Sequence, residues 1–128
     1  MRVLVDMSAT LIHHGHIRLL KKAAELGTVI VALTDDEEIK LAKGYMPELK
    51  YEEREEILCS IKYVDEVVKS KWLIDNEFMN EHKIDKLVHG CDNRNTVDTD
   101  KVVIYERTGG ISSSELRKRA CEIVSMSR

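Results

Sequence analysis

The segment RVLVDMSATLIHHGHIRLLKKAAELGTVIVAL, residues 2–33, decides the fold. Its first four residues, Arg2-Val3-Leu4-Val5, form a short apolar run bounded by polar residues, the pattern of a buried strand. A loop follows from Asp6 to His14. Ile17, Leu19, Leu20, Ala23, Ala24 and Leu26 then recur at helical spacing, with Gly27 read as the residue that stops the helix. Residues 28–33 (TVIVAL) are β-branched and continuous, which suits a parallel strand covered on both faces.

The same alternation continues outward. Residues 35–51 are irregular and mixed, holding Gly44 and the chain's only proline, Pro47. Residues 52–62 return to helical periodicity through Ile57, Leu58 and Ile61, and residues 64–68 read as a third strand. Residues 73–82 read as a helix, residues 86–89 as a fourth strand ending at Gly90, and residues 101–105 (KVVIY) as a fifth. Ser112-Ser113-Ser114-Glu115 has capping-box spacing and opens a last helix ending near Val124. Strands alternating with helices imply βαβ units and a parallel sheet. The expected fold is a single α/β domain over residues 1–128, a doubly wound, Rossmann-like parallel sheet of about five strands. Ligands in such sheets bind beyond the C-terminal strand ends, where the strand order reverses. That directs attention to the loops after strands one, four and five.

Composition excludes several classes. With 128 residues, 43% hydrophobic and 34% charged, the chain is one globular domain rather than a disordered tail or a coiled-coil rod. Twenty Lys+Arg against 23 Asp+Glu leave a formal charge of -3, which does not describe a generic binder of nucleic acid or membrane surface. The apolar stretches are strand-length, far short of a bilayer span. The N-terminus reaches Asp6 too soon for a signal peptide. Cys59, Cys91 and Cys121 are odd in number and widely spaced, as free thiols in a reducing cytoplasm would be.

Three of the chain's five histidines fall within His13-His14-Gly15-His16, at the entry to a helix. A helix start exposes N–H groups and a partial positive charge, ready for phosphate. Gly15 removes a side chain where a phosphate would approach the backbone. His13 and His16, three apart, can address one ligand and donate hydrogen bonds to developing charge. The plainer reading of these histidines is a solvated loop. Ser112, Ser113 and Ser114 offer hydroxyls and N–H groups at another helix start, suited to further phosphates, although ordinary capping needs only one of them.

Strand, loop, H-x-G-H and helix together resemble the signature of the HxGH nucleotidyltransferases, and "LIHHGHIRLLKKAAELG" is similar to the small cytidylyltransferases of the glycerol-3-phosphate type. "YEEREEILCSIKYVDEVV" (residues 51–68), "VHGCDN" (88–93) and "RTGGISSSELR" (107–117) resemble further segments of that family in the same order. The resemblance implies in-line attack of an acceptor's phosphate oxygen on the α-phosphorus of CTP, releasing pyrophosphate. It assigns His13, His16, Lys43 and Arg107 to the phosphates as catalytic groups, with Lys40 competing for the place of Lys43. It gives Ser8, Ala9, Gly15, Gly90, Asp92, Thr108, Ile111, Ser112 and Ser113 to the nucleotide. Arg54, Lys62, Asp65 and Trp72 go to the acceptor, with the subunit contact as the alternative place for Arg54 and Asp65, and with Arg117 a further cation for the acceptor's anion. For the lysines the plainer reading is a solvated side chain, and for Trp72 simple packing. Mg2+ is expected to arrive on the triphosphate rather than in a protein cage. A homodimer through residues 62–67 is implied by the same resemblance.

Two departures sit at the site. Relatives carry Gly-Thr-Phe-Asp where this chain has Met7-Ser8-Ala9-Thr10, so an aspartate is replaced by Thr10. Cys91 stands for the first aspartate of a Gly-Asp-Asp loop, leaving Asp92 to meet the nucleotide or its metal. The wording "MSA…HHGH" looks closer to cytidylyltransferase domains associated with phosphonate biosynthesis. Glycerol 3-phosphate, phosphocholine, phosphoethanolamine and small phosphonates all remain as acceptors. Three other readings stand beside this one. They are an adenylyltransferase of the same superfamily, a degenerate nucleotide-binding module, and a zinc hydrolase using His13, His14, His16, His89, Cys91 and Asp92.

Overall fold

The computed structural model describes residues 1–90, 95–106 and 108–126. Within them, β1 (Arg2–Met7), β2 (Thr28–Thr34), β3 (Glu66–Ser70), β4 (Lys86–Gly90) and β5 (Val102–Tyr105) form one sheet in the order β3-β2-β1-β4-β5. Every neighbouring pair is parallel, with Val5 opposite both Val31 and Val88. The chain runs outward from β1 to β3, then returns to β4 and β5 on the other side. The order therefore reverses between β1 and β4, which opens a crevice beyond their C-terminal ends.

Helices α1 (His14–Ala24), α2 (Asp36–Lys43), α3 (Tyr51–Cys59), α4 (Asn76–Glu81) and α5 (Ser113–Met126) accompany the strands. The central strands read as continuous apolar runs because both their faces are covered. Val3, Val5, Val29 and Val31 pack with Leu20 and Ala23 of α1 and Leu58 of α3. Leu4, Ile30, Ala32 and Leu87 pack on the opposite face with Ile74, Met79 and Ile84. Side chains alternating along one strand thus seed two cores.

Three local expectations are corrected. Residues 36–43, read as irregular, form α2: its acidic start, Lys40 and Lys43 in its last turn, and left-handed Gly44 (φ 84°) behind it all match a helix dipole and C-cap. Gly27 is not a left-handed stop. Helix α1 ends before it, and a Cβ there would lie 2.2 Å from the Met1 carbonyl oxygen, so the glycine serves a close backbone approach. The third strand begins two residues later than expected, because Asp65 is held at the start of β2: its N–H donates to Val29 O (3.0 Å) and its carboxylate accepts from Val29 N–H (2.8 Å). Cys59 and Cys121 are exposed, unpaired thiols, and Cys91 lies outside the described residues.

Candidate active site

Two helix starts meet at the crevice. At the first, His13 is the N-cap of α1: its Nδ1 accepts from Gly15 N–H at 3.0 Å, while His13 N–H donates to His16 Nδ1 at 3.1 Å. The two histidines thus form a reciprocal capping box, the role usually given to Ser or Thr with Glu. Since both Nδ1 atoms accept, each neutral ring carries its proton on Nε2, the donor that a phosphate oxygen would meet. The ring centroids are 4.0 Å apart. Burial, helped by the neighbouring charge of His14, holds the His13 imidazole below its usual range, so it stays neutral near pH 7. A Cβ on Gly15 would sit 2.8 Å from His13 Cε1. The glycine therefore makes room for the histidine ring itself, a reason other than the open phosphate approach read from the sequence.

The second start belongs to α5. Ser112 is its cap, accepting from Glu115 N–H at 3.0 Å. The Ser113 hydroxyl donates to Leu11 O (2.9 Å) and accepts from Leu11 N–H (3.2 Å), locking α5 to the loop ahead of His13. Ile111 Cγ2 packs beside Gly15. Of the three serines, one caps, one ties the two loops together, and Ser114 lines the cleft as an exposed residue. Two partial positive charges thereby face one space.

That space is a cleft of about 970 Å³. It is lined by Ser8, Ala9, His13, Gly15, His16, Lys43, Trp72, Gly90, Thr108, Ile111, Ser112 and Ser113, twelve of the residues expected there. Ala9, buried with φ 47°, holds a left-handed conformation that L-residues rarely adopt, at the point where the loop turns into the site. Lys43 lines the cleft and lays its Nζ 5.8 Å from the Trp72 ring centroid, whereas Lys40 is exposed outside it. Asp92 and Arg107 lie outside the described residues.

Three acceptor residues do not reach the cleft. Arg54 is completely buried. Its Nε donates to Leu49 O (3.0 Å), Nη1 to Ser8 O (2.7 Å) and Thr34 O (2.9 Å), and Nη2 to Asp36 (2.5 Å). It is a strut that joins the ends of β1 and β2 to the start of α2 and the loop before α3. Lys62, over the Tyr63 ring, and Asp65, on Val29, lie at the opposite end of the sheet, where β3 begins. Arg117 is also committed. It grips Glu48 through Nε and through Nη2 (2.6 Å to Oε1), donates to Tyr45 OH at 3.0 Å, and reaches Thr10 Oγ1 at 3.4 Å. Where the resemblance expects an aspartate at position 10, Thr10 is buried and the carboxylate facing Arg117 comes from Glu48.

The sequence reading missed Asp6 and Asn95, and named His89 only as a zinc donor. Asp6, at the end of β1, lies beside His89 of β4. His89 Nδ1 meets Asp6 Oδ1 at 2.5 Å, Asn95 Nδ2 donates to Asp6 Oδ2 at 2.9 Å, and Asn95 Oδ1 accepts from Ile74 N–H at 2.6 Å. All three line the cleft at the reversal point. The available signal was an acid closing an otherwise apolar strand. Among the described residues no three His, Cys, Asp or Glu gather as a metal-binding group.

A parallel sheet with phosphate-seeking helix starts at its reversal point defines a nucleotide-handling α/β domain. The cytidylyltransferase-like family profile matches residues 8–119, and the chain belongs to that family. It is 37% identical over 113 residues to glycerol-3-phosphate cytidylyltransferase of Bacillus subtilis, covering 84% of this chain and 88% of that one. It is 38% identical over 125 residues to the enzyme of the same name from Staphylococcus aureus, covering 91% and 92%. A solved structure described as a lipopolysaccharide core biosynthesis protein from Thermoplasma volcanium shares the fold, with a TM-score of 0.71 at 22% identity over 84% of this chain and 98% of that one. No described helix is long and apolar enough to cross a membrane.

Proposed function

We propose that the chain transfers CMP from CTP to the anionic phosphorus group of a small phosphorylated alcohol or phosphonate, releasing pyrophosphate. The observation that supports this most is the meeting of two helix starts, one capped by His13 and His16 and the other by Ser112, on one cleft. The triphosphate lies across these starts. The Nε2–H groups of His13 and His16 donate to α-phosphate oxygens as charge builds during in-line attack, and the first turn of α5 receives the outer phosphates. Lys43 swings from Trp72 to the phosphates. Gly90 and Thr108, with Asp92 and Arg107 from sequence alone, border the nucleotide.

Mg2+ would arrive on the triphosphate, keeping waters and taking its ligands mainly from phosphate oxygens. It would neutralise the triphosphate and the departing pyrophosphate. The position of β3 at a sheet edge supports pairing of two copies through residues 62–67, and use of CTP supports a cytoplasmic setting.

The test is magnesium-dependent pyrophosphate release, with CTP or ATP each set against glycerol 3-phosphate, phosphocholine, phosphoethanolamine and 2-aminoethylphosphonate. Release with CTP and one acceptor is the expected result. Release with ATP alone would move the chain to adenylyl transfer, and nucleotide binding without release would make it a binding module.

A further inference from the structure

The site as described holds the triphosphate but leaves the acceptor's own anion without its expected partners. Arg54 is buried and spends its donors on Leu49, Ser8, Thr34 and Asp36. Lys62 lies at the far end of the sheet, and Arg117 is held by Glu48 and Tyr45. A transferase must still bring a second anion against the first, and an uncompensated pair of phosphates repels.

The cleft also contains a carboxylate, Asp6, only 11% exposed. Facing anionic substrates, a bare carboxylate would oppose binding. This one is not bare: His89 takes Oδ1 and Asn95 takes Oδ2, and Asn95 is itself fixed by the Ile74 N–H. Such an arrangement serves the imidazole. A carboxylate on Nδ1 fixes the ring's orientation and tautomer, which presents Nε2–H as a donor. Ionisable side chains that share the cleft with His89 include Asp6 from β1, His13 and His16 from the start of α1, Lys43 of α2, and Tyr105 and Glu106 at the end of β5. Asp6 contacts the ring directly, through Nδ1.

Resting on the transferase reading above, we propose that His89, oriented by Asp6 and Asn95, binds the acceptor's phosphate or phosphonate group. His89 is then a substrate-binding residue at the reversal point, and Asp6 and Asn95 are positioning residues. The triphosphate keeps the two helix starts for itself. The acceptor enters between β4 and the Trp72 loop, so its phosphorus group is presented from the β4 side.

The experiment compares wild type with His89→Asn and Asp6→Asn. Pyrophosphate release is followed with CTP and glycerol 3-phosphate, inorganic phosphate serves as a competitor, and CTP binding is measured by calorimetry. His89→Asn should raise KM for glycerol 3-phosphate at least tenfold, weaken competition by inorganic phosphate in parallel, and leave CTP affinity within twofold. Asp6→Asn, which keeps shape but loses charge, should shift the same KM by a smaller factor with less effect on kcat. Unchanged acceptor KM in both variants, or a loss of CTP affinity equal to the loss of acceptor affinity, overturns the proposal. Thermal melting identifies a variant that has not folded, in which case the other decides. Wild type that binds CTP but releases no pyrophosphate with any acceptor would overturn the transferase reading and this inference with it, a result distinct from altered variants of an active enzyme.

Discussion

Arg117 of α5 is gripped through two of its nitrogens by Glu48, a residue of the loop between α2 and α3. The pair fastens that loop, which follows Lys43, to the helix whose start lines the phosphate cleft. The hydrogen bond from Arg117 is the main reason the Glu48 carboxyl lies below its usual range, and the same bond raises Arg117. A carboxyl lowered on folding adds stability above its unfolded pKa and loses it as pH falls through the folded value. Both side chains are partly exposed, so the contribution is small. Glu48→Gln should cost about 1 kcal/mol or less in urea unfolding at pH 7. The difference from wild type should close below the glutamate range, and a gap unchanged in acid would refute the linkage.

Arg54 predicts a different outcome. Removing a buried partner takes the cation from Asp36 and the donor from three carbonyls, so Arg54→Ala should destabilise by about 3–5 kcal/mol. Arg54→Lys, which cannot reach all four acceptors, should also unfold at lower denaturant. If Arg54→Lys instead kept full stability and raised acceptor KM alone, the strut assignment would fail.

Gly15→Ala tests the seat of the His13 ring. The new methyl meets His13 Cε1 at 2.8 Å, so the ring must leave its cap. A lost cap costs about 1 kcal/mol. The larger expected effect is on turnover, at least tenfold in kcat. His16→Ala, which would remove the proposed donor to developing charge, should lower kcat by about 10²–10³. Pyrophosphate release alongside a melting curve separates the two effects.

The pH dependence follows from His13. Because its folded pKa is lowered, first by burial and then by His14, the unfolded chain takes up a proton before the folded one does. Stability therefore declines as pH drops below about 6.5 and levels off below the folded value. Any acid limb of kcat due to His13 should lie below that pH, and His14→Gln should move it upward. A limb that stays fixed in His14→Gln would assign it to another group.

The strand–helix alternation was legible because the central strands need apolar residues on both faces, and runs such as residues 28–33 state that need locally. Helix α2 was hidden because Asp35-Asp36-Glu37-Glu38 reads equally as a solvated face, and Ile39 alone anchors it as a buried residue. His13 and His16 were visible as a short motif, yet their mutual capping was not, since it depends on which ring nitrogen turns inward. Arg54 was misread because its carbonyl partners stand 5, 20 and 46 positions away, where periodicity carries no information. Glu48 and Arg117, 69 positions apart, were opaque for the same reason. Asp6 and His89 meet only because the strand order sets β1 beside β4.

The double use of the two imidazoles bears on how such a chain would change over generations. Nδ1 serves the architecture of α1, and in the proposed function Nε2 serves the substrate, so selection would act on the two sides of each ring separately. In a lineage released from turnover, only the demand on Nε2 relaxes. Positions 13 and 16 would then drift first toward Asn, Asp or Ser, which still accept a backbone N–H at a helix start, before they admitted apolar residues. A homologue with asparagine at both places would be a folded protein that has given up the reaction, recognisable by the order in which its histidines were lost.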